Sequence, residues 1–224
     1  MQWLYPEVRS VWNSAIAFSL NDGAMWAGHG ASVLVRAGVR AGFGPVQIVL
    51  APELTYSENR PFEVLPGREP GRSTYSSPWH IGTESADLPL RLGDQPWRIV
   101  GLGQSSLTVS TGPVAVGAST ENQWWGPGIR NAIVMSNNAP GIPHLFLRTT
   151  RPLRTPLGAL EARWIIGGLT ESLYFDTLAS NDLRSLSGLV MTLRPGGARG
   201  LTVGVARTVY GEAGSTGVVI GRLF

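Results

Sequence analysis

The chain has no cysteine and no lysine among its 224 residues. The first absence excludes a disulfide framework and a thiolate metal site, and it leaves the cellular compartment open. The second absence means that all 18 basic residues are arginine. These arginines are scattered along the chain and form no single basic stripe, so the sequence does not favour a nucleic-acid groove even though the pI is about 9.8.

Charge and long apolar runs are also scarce. Charged residues make up 15% of the chain, against about 25% in a typical soluble domain. No run of eighteen apolar residues occurs, which excludes a membrane-spanning helix but leaves a spanning barrel open. Residues 1–7 have neither a basic start nor an apolar core, so no secretory leader is expected in this chain. The expectation is that the protein stays inside the cell or that this chain is part of a longer one.

Glycine and proline are frequent, with 29 and 16 residues, and they separate short stretches of alternating hydrophobicity. The pattern predicts about ten to twelve β-strands and no amphipathic helix. The predicted strands are 11–18, 31–41, 46–51, 98–102, 107–111, 114–118, 129–135, 144–150, 160–166, 190–194, 201–209 and 218–224. Between 55 and 96 six prolines interrupt the alternation, which indicates a long external loop. We interpret residues 1–224 as a single β-barrel domain or a fragment of one.

The two faces of the predicted strands differ in composition. In 31–41 one face carries valine and alanine, whereas the other carries Leu34, Arg36 and Arg40. Small residues with occasional arginine are typical of a barrel lumen, and valine, leucine and isoleucine with aromatics near strand ends are typical of a lipid-facing surface. The pattern therefore favours a transmembrane barrel with Arg36 and Arg40 as lumen-facing charges. Arg207 and Arg222 fall on apolar faces and count against it, and a soluble β protein is the alternative.

The stretch 122–151 is the most unusual part of the chain. Trp124 and Trp125 run into Gly126-Pro127-Gly128, which predicts an aromatic-anchored turn. A second turn is predicted at 136–141. On the residues alone, the indole pair could equally fill a corner of the core.

Several motifs resemble those of one known family. They are Trp-Trp-Gly-Pro-Gly at 124–128, Ser-Asn-Asn-Ala-Pro-Gly at 136–141, Arg-Thr-Thr-Arg-Pro at 148–152, Asn-Asp-Gly-Ala-Met-Trp-Ala-Gly-His-Gly at 21–30 and Glu-Ser-Leu-Tyr-Phe-Asp at 171–176. They resemble the Wzi-type capsule-assembly outer-membrane barrels over most of residues 10–180. The resemblance implies an eighteen-stranded antiparallel up-and-down barrel, plugged by periplasmic helices, that holds capsular polysaccharide at the cell surface. Residues 1–224 are expected to contain no leader, no helical plug and fewer strands than this pattern, so we interpret the chain as an internal part of a longer protein.

The candidate glycan-binding residues combine indole faces for sugar C–H groups, amides for hydroxyls and guanidinium groups for uronic carboxylates. They are Trp124, Trp125, Asn137, Asn138, Arg148 and Arg163. The partners expected are an acidic capsular or exopolysaccharide and outer-membrane lipid, with no nucleic acid. The alternative is that the tryptophans belong to an interfacial girdle and the asparagines to turns. The oligomeric state is left open.

The sequence offers little for catalysis. His29, His80 and His144 have no metal-ligand spacing, and no glycine-rich segment opens a helix as a phosphate loop does. Asp22, Glu53, Glu58 and Glu63 could supply a carboxylate pair for glycoside cleavage only if the fold brought two of them together. We therefore expect no enzyme activity, no metal and no cofactor. A soluble carbohydrate-active hydrolase and a diffusion porin are the alternative functions.

Overall fold

The computed structural model describes residues 1–64, 73–75, 89–132, 134–174, 178–180, 182–196 and 200–212. Within these ranges the protein is all-β, with no helix. The twelve strands are β1 (Gln2–Asn13), β2 (Gly30–Phe43), β3 (Val46–Leu50), β4 (Glu53–Ser57), β5 (Trp97–Gly101), β6 (Ser106–Thr111), β7 (Val114–Ser119), β8 (His144–Thr149), β9 (Leu153–Thr155), β10 (Gly158–Thr170), β11 (Leu183–Pro195) and β12 (Val203–Glu212). The described ranges contain no helix of the length and hydropathy needed to cross a membrane.

All twelve strands belong to one antiparallel sheet. Three pairs of short strands are collinear. Strands β3 and β4 both pair with β2, and strands β8 and β9 both pair with β10. Strands β5 and β6 form the third pair, because β5 pairs with β4 and β6 pairs with β3. Joining each pair turns the twelve strands into nine extended strands, and each one is hydrogen-bonded to those before and after it in the chain. This is the up-and-down order of part of a β-barrel. Among the described residues no pairing joins the edge strands β1 and β12.

Two of the breaks that divide the extended strands coincide with proline. Pro52 lies between β3 and β4, and Pro152 lies between β8 and β9. Because proline has no N–H to donate, it interrupts a β ladder at its position. The break between β5 and β6, at 102–105, faces the one at Pro52, since Gln104 N donates to Ala51 O at 3.0 Å.

The two ends of the sheet carry connections of different length. At one end β2–β3, β6–β7 and β9–β10 are joined by two-residue turns, 44–45, 112–113 and 156–157. Gly44 and Gly112 adopt φ of 56° and 55°, a conformation that side chains with a Cβ disfavour. At the other end the connections are long, covering 14–29, 58–96, 120–143 and 171–182.

The sheet buries its polar face and exposes its apolar face. Leu54 and Val100 lie opposite each other and are 50% and 78% exposed, whereas the neighbouring Thr55 is 1% exposed. On β2 the face with Ser32 and Arg36 is covered as well, so the assignment of faces there agrees with the alternation in the sequence. We call the covered face the inner face and the other the outer face. An apolar exterior around a polar interior is the arrangement of membrane barrels and the inverse of a soluble protein.

The outer face of β1 carries an indole near each end. Trp3 pairs with Val39 and Trp12 with Ala31, and both tryptophans are exposed. Nine residues of strand separate them, or about 30 Å at about 3.3 Å per residue. With a tilt of about 40°, this corresponds to a height of about 23 Å, close to the apolar band of about 25 Å that aromatic girdles border.

Three strand predictions and one loop boundary need correction or lie outside the described residues. The first strand is Gln2–Asn13 and not 11–18, because a bulge between Leu4 and Glu7, at Pro6, hides its alternation. The loop predicted at 55–96 begins after Ser57, since Thr55 and Tyr56 continue the alternation in β4. The predicted strand 129–135 is wrong: its described residues, 129–132 and 134–135, belong to no strand, and Met135 forms a single bridge to Trp125. The predicted strand 218–224 lies outside the described residues.

The long connections 14–29 and 120–143 cover the inner face and contact each other. Gly23 N donates to Asn137 O at 2.7 Å, and Gly28 N donates to Ser57 Oγ on β4 at 3.2 Å. Val134 N and Met135 O pair with Trp125 of the same connection, and Arg130 O accepts from Asn21 Nδ2. These backbone groups are therefore not available to a neighbouring strand.

Trp125 anchors the second connection in a small apolar cluster on the inner face. It is 4% exposed and packs with Phe146 on β8 and Ile165 on β10. Gly188 on β11 makes room for the indole, because a Cβ at this position would lie 2.6 Å from Trp125 Cη2. The sequence left two roles open for Trp125, a glycan contact and a position in the core, and the structure places it in the core.

Replacing Trp125 with alanine is expected to lower the free energy of unfolding by about 3–5 kcal/mol, the usual cost of truncating a buried tryptophan. Thermal unfolding in detergent micelles, followed by circular dichroism, would measure this. Trp3→Ala is the matched control, because Trp3 is 76% exposed on the outer face. Equal losses in the two variants would show that Trp125 does not anchor the connection.

Candidate functional site

Polar side chains gather at two places on the inner face. The first is a cavity of about 310 Å³, the central pocket, between the sheet and the two in-folded connections. Strands β1, β2 and β4 contribute Glu7, Arg36 and Glu53 to it. The second, the arginine cluster, consists of Arg148, Arg154, Arg163 and Arg194 on β8, β9, β10 and β11.

Arg36 links two carboxylates on the floor of the central pocket. Its guanidinium donates to Glu53 Oε1 at 2.9 Å and forms an ion pair with Glu7. Glu7, Arg36 and Glu53 sit on neighbouring strands in direct register, so the alternation places all three on one face. Glu53 is buried, and a buried carboxylate is stable only when it is paired and hydrogen-bonded.

Amide groups extend this network toward the second connection. Gln104 Nε2 donates to Glu53 Oε1 at 3.2 Å and to Asn122 Oδ1 at 2.7 Å. Asn122 N in turn donates to Gln104 Oε1 at 3.0 Å. Gln104 lies in the break between β5 and β6 and not in a strand, so the break places its amide over the pocket.

The roof of the pocket comes from the connections. Asp22 accepts hydrogen bonds from Ser19 Oγ and Leu20 N at 2.9 Å each, which fixes the turn at 19–22. Asn21 N donates to Asn138 Oδ1 at 2.8 Å, and this contact ties the two connections together. Asn137 Oδ1 is buried without a hydrogen-bond partner, although the residue lines the pocket.

Trp124 borders the pocket and keeps an accessible surface. Its side chain is 36% exposed, and its Nε1 donates to Gly128 O at 2.8 Å. The hydrogen bond closes the Trp-Trp-Gly-Pro-Gly turn and fixes the orientation of the indole. One face of the ring is therefore held in place next to a polar cavity.

The arginine cluster follows from strand register. Arg148 and Arg163 are direct cross-strand partners, and their guanidinium carbons lie 5.8 Å and 5.1 Å from the centre of the Phe146 ring. Arg154 and Arg194 both lie opposite Ala159, on the same face. From spacings of about 3.3 Å per residue and 4.8 Å per strand, the four arginines cover an area of about 13 by 10 Å.

None of these four arginines forms an ion pair with a described residue. Arg163 Nε is buried and has no hydrogen-bond partner, and the contact of its NH2 is with His144 Nε2 at 3.4 Å. Two like charges directly opposite on adjacent strands repel each other. The arrangement therefore favours the binding of an anion, which would satisfy both groups.

The structure distributes the residues predicted from the sequence over these two places. Arg36, Trp124 and Asn137 meet in the central pocket, and Asn138 supports it. Arg148 and Arg163 belong to the arginine cluster. Arg40 is exposed on the inner face, opposite Val49. Trp125 lies in the core and offers no face to a glycan.

Sequence reasoning missed several contributors. Glu7, Arg9 and Arg154 lie in strands that it did not recognise. Arg194 lies in β11, on the face where the alternation that starts at Val190 places it. That alternation could have identified Arg194. Gln104 and Asn122 lie in connections, where no periodic signal exists.

The described residues contain no group of three or more His, Asp or Glu side chains placed to hold a metal ion. His80 lies outside them. Of the carboxylates considered for hydrolysis, Glu53 is occupied by Arg36 and Gln104. A hydrogen bond from the Ala31 N–H and contacts with Arg60 lower the pKa of Glu58. A glycosidase acid needs a raised pKa, so this environment does not favour that role.

Replacing Arg36 with glutamine is expected to lower the free energy of unfolding by roughly 1.5–3 kcal/mol, because it leaves two carboxylates without their charged donor. Adding Glu53→Gln should recover part of the loss, since the buried charge is then gone. Urea unfolding in detergent micelles measures both. If the free energy of unfolding of the double variant falls by the sum of the decreases in the two single variants, Arg36 and Glu53 are not coupled.

Comparison with known proteins gives one match. A family model described as capsule assembly protein Wzi matches residues 9–211, a range that runs from β1 to β12. No curated protein and no solved structure matches the chain. The match agrees with the motifs at 21–30, 124–128, 136–141 and 148–152 and with the inverted faces of the sheet. The chain belongs to the family of capsule assembly protein Wzi, a family of outer-membrane proteins of capsule assembly.

Proposed function

We propose that this protein acts in capsule assembly by binding an acidic polysaccharide on the inner face of its sheet, without cleaving it. The observation that carries the proposal is the facing pair Arg148 and Arg163, which has no ion-pair partner among the described residues. Unpaired cations on a covered face are costly unless a ligand completes them.

The chemistry of the pair suits uronate units. A guanidinium presents a planar fork of N–H donors that matches a carboxylate with two parallel hydrogen bonds. Contact with the Phe146 ring restricts both side chains before a ligand arrives. Less conformational entropy is then lost on binding. Arg154 and Arg194 lie further along the same face, and Glu161 is the carboxylate that the register places between them and Arg163. Four guanidinium groups against one carboxylate leave this surface positive, so that more than one carboxylate of a chain can be held.

The alternatives receive less support from the residues described. A hydrolase needs a carboxylic acid and a carboxylate free to act on the substrate, but Glu53 and Glu58 are each held by an arginine. A diffusion porin needs an open lumen, but the connections 14–29 and 120–143 pack against the inner face. The exposed outer face supports the second expected partner, outer-membrane lipid.

Changing Arg148 and Arg163 to glutamine is expected to weaken binding of polygalacturonate at least tenfold and to flatten its salt dependence, because two charge-assisted contacts are lost. Isothermal titration at two ionic strengths would measure both effects. The matched control is Arg98→Gln with Arg207→Gln, which removes the same charge from the outer face.

The double variant should fold, since polar substitution on a lumen face is tolerated. If it binds polygalacturonate as well as the parent at low salt, the arginine pair is not the binding site. If it also fails to assemble in the membrane, the two arginines have a structural role.

The asymmetry of the connections predicts the orientation of the protein. Outer-membrane barrels carry short turns on the periplasmic side and longer loops outside. Because the chain has no cysteine, single cysteines report position without background. Ile129→Cys, in a long connection, should react with a bulky impermeant maleimide on intact cells, whereas Leu157→Cys, in a short turn, should react only after lysis. Both positions are well exposed. The reverse result would invert the orientation.

A further inference from the structure

We infer that the central pocket is a second glycan subsite, separate from the arginine cluster, that takes one neutral hexose unit. The inference rests on the proposed function, because it assigns a different sugar of the same polysaccharide to a different place. The pocket is distinguished by its size, its mixed donors and acceptors, its charge balance and the indole at its border.

Size favours a short segment of glycan. The volume of about 310 Å³ lies at the lower end of small-molecule sites, which range from about 300 to 1,000 Å³. A space of this size suits one or two sugar rings. A longer stretch of chain would have to continue outside the pocket.

The lining combines donors and acceptors, as a ligand with many hydroxyl groups requires. Each hydroxyl both donates and accepts, so it binds best between carboxylate or amide oxygens and N–H groups. Glu7 and Asp22 offer carboxylate oxygens, and Arg9 and Arg36 offer N–H groups. Asn137 Oδ1 is a buried acceptor with no partner in the protein. A sugar hydroxyl would supply the missing donor.

The charge of the pocket separates it from the arginine cluster. Three carboxylates, those of Glu7, Asp22 and Glu53, face two guanidinium groups, those of Arg9 and Arg36. The arginines are already engaged, since Arg36 pairs with two of the acids and Arg9 contacts Glu7 and Asp22. A uronate would add a further negative charge to a space that already holds a surplus of one. A neutral sugar avoids this repulsion.

Trp124 provides the apolar surface that sugar rings use. The indole lies against the pocket, is partly exposed and is fixed by its hydrogen bond to Gly128 O. The C–H groups on one face of a hexose pack against such a ring, while the hydroxyls at the edge reach polar groups. Recognition through otherwise unpaired polar groups is selective, because a ligand without the matching hydroxyl leaves them unsatisfied.

The test compares sugars that differ at one carbon. Glucose and galactose are titrated beside glucuronate and galacturonate, each pair differing only in whether C6 is an alcohol or a carboxylate. The full chain is kept in dodecylphosphocholine, since maltoside and glucoside detergents carry competing sugars. Saturation-transfer NMR and isothermal titration follow binding. The comparison uses the variant Arg148→Gln with Arg163→Gln, in which the arginine cluster no longer takes up the uronate. In this variant we expect at least one neutral hexose to bind at least ten times more tightly than its uronate.

Variants locate the site. Trp124→Ala and Asn137→Leu should each weaken hexose binding at least tenfold, while Trp3→Ala, which removes an indole from the outer face, should leave it unchanged. Two independent variants keep the test valid if one of them unfolds. Arg148→Gln with Arg163→Gln should also leave hexose binding unchanged.

The outcomes separate this inference from the proposed function. If polygalacturonate binding depends on Arg148 and Arg163 but neither hexose binds, the central pocket is not a sugar site and the proposed function stands. If glucuronate binds the variant Arg148→Gln with Arg163→Gln as tightly as glucose does, or if Trp124→Ala and Asn137→Leu both leave hexose affinity unchanged, the assignment of a neutral sugar to this pocket is wrong. If hexose binds but polygalacturonate does not, the proposed function fails.

Discussion

Along most of the antiparallel sheet, small and polar side chains lie on the covered face and valine, leucine and isoleucine lie on the open face, where Arg98 and Arg207 are exceptions. The backbone satisfies its own hydrogen bonds within the ladder, so the outer face can be largely apolar, as lipid requires. Most polar groups are then confined to the inner face. There they are close together and shielded from lipid, and the in-folded connections shield part of them from water. The central pocket and the arginine cluster both result from this confinement.

The inner face carries two groups of charged residues, which differ in whether their charges form ion pairs within the protein. Around Arg36 every charged group has a partner, and the ion pairs hold β1, β2 and β4 in register beneath the connections. Around Arg163 the arginines form no ion pair with a described residue, although Glu161 lies on the same face of β10, and the ring of Phe146 contacts Arg148 and Arg163. The first group contributes to the fold, and the second retains a capacity to bind. Their separation lets one face combine stability with recognition.

The alternation of apolar and polar residues predicted most strands. In a strand between lipid and lumen, each side chain has to suit the environment on its side of the sheet, so the two kinds of residue alternate along the sequence. This alternation identified β2, β8 and β10 and assigned Arg36, Arg148 and Arg163 to their faces. It failed where backbone irregularity shifts the phase, as at Pro6 in β1, or where a loop is apolar, as at 129–135. Trp125 is a different case: its indole is buried by Gly188, more than sixty positions away, and no local pattern reports such a contact.

The paired breaks at Pro52 and at 102–105 affect more than the hydrogen-bond ladder. Ser105 Oγ and Gln104 N bridge the gap to Ala51, so neighbouring strands remain joined where both lose their regular pairing. Such irregularities increase local twist and allow a sheet to bend toward closure. The same irregularity places Gln104 over the pocket, where its amide contacts Glu53 and Asn122. The curvature of the wall and the polarity of the cavity thus have one local origin, and a sequence change that straightened these strands would also remove an amide from the pocket.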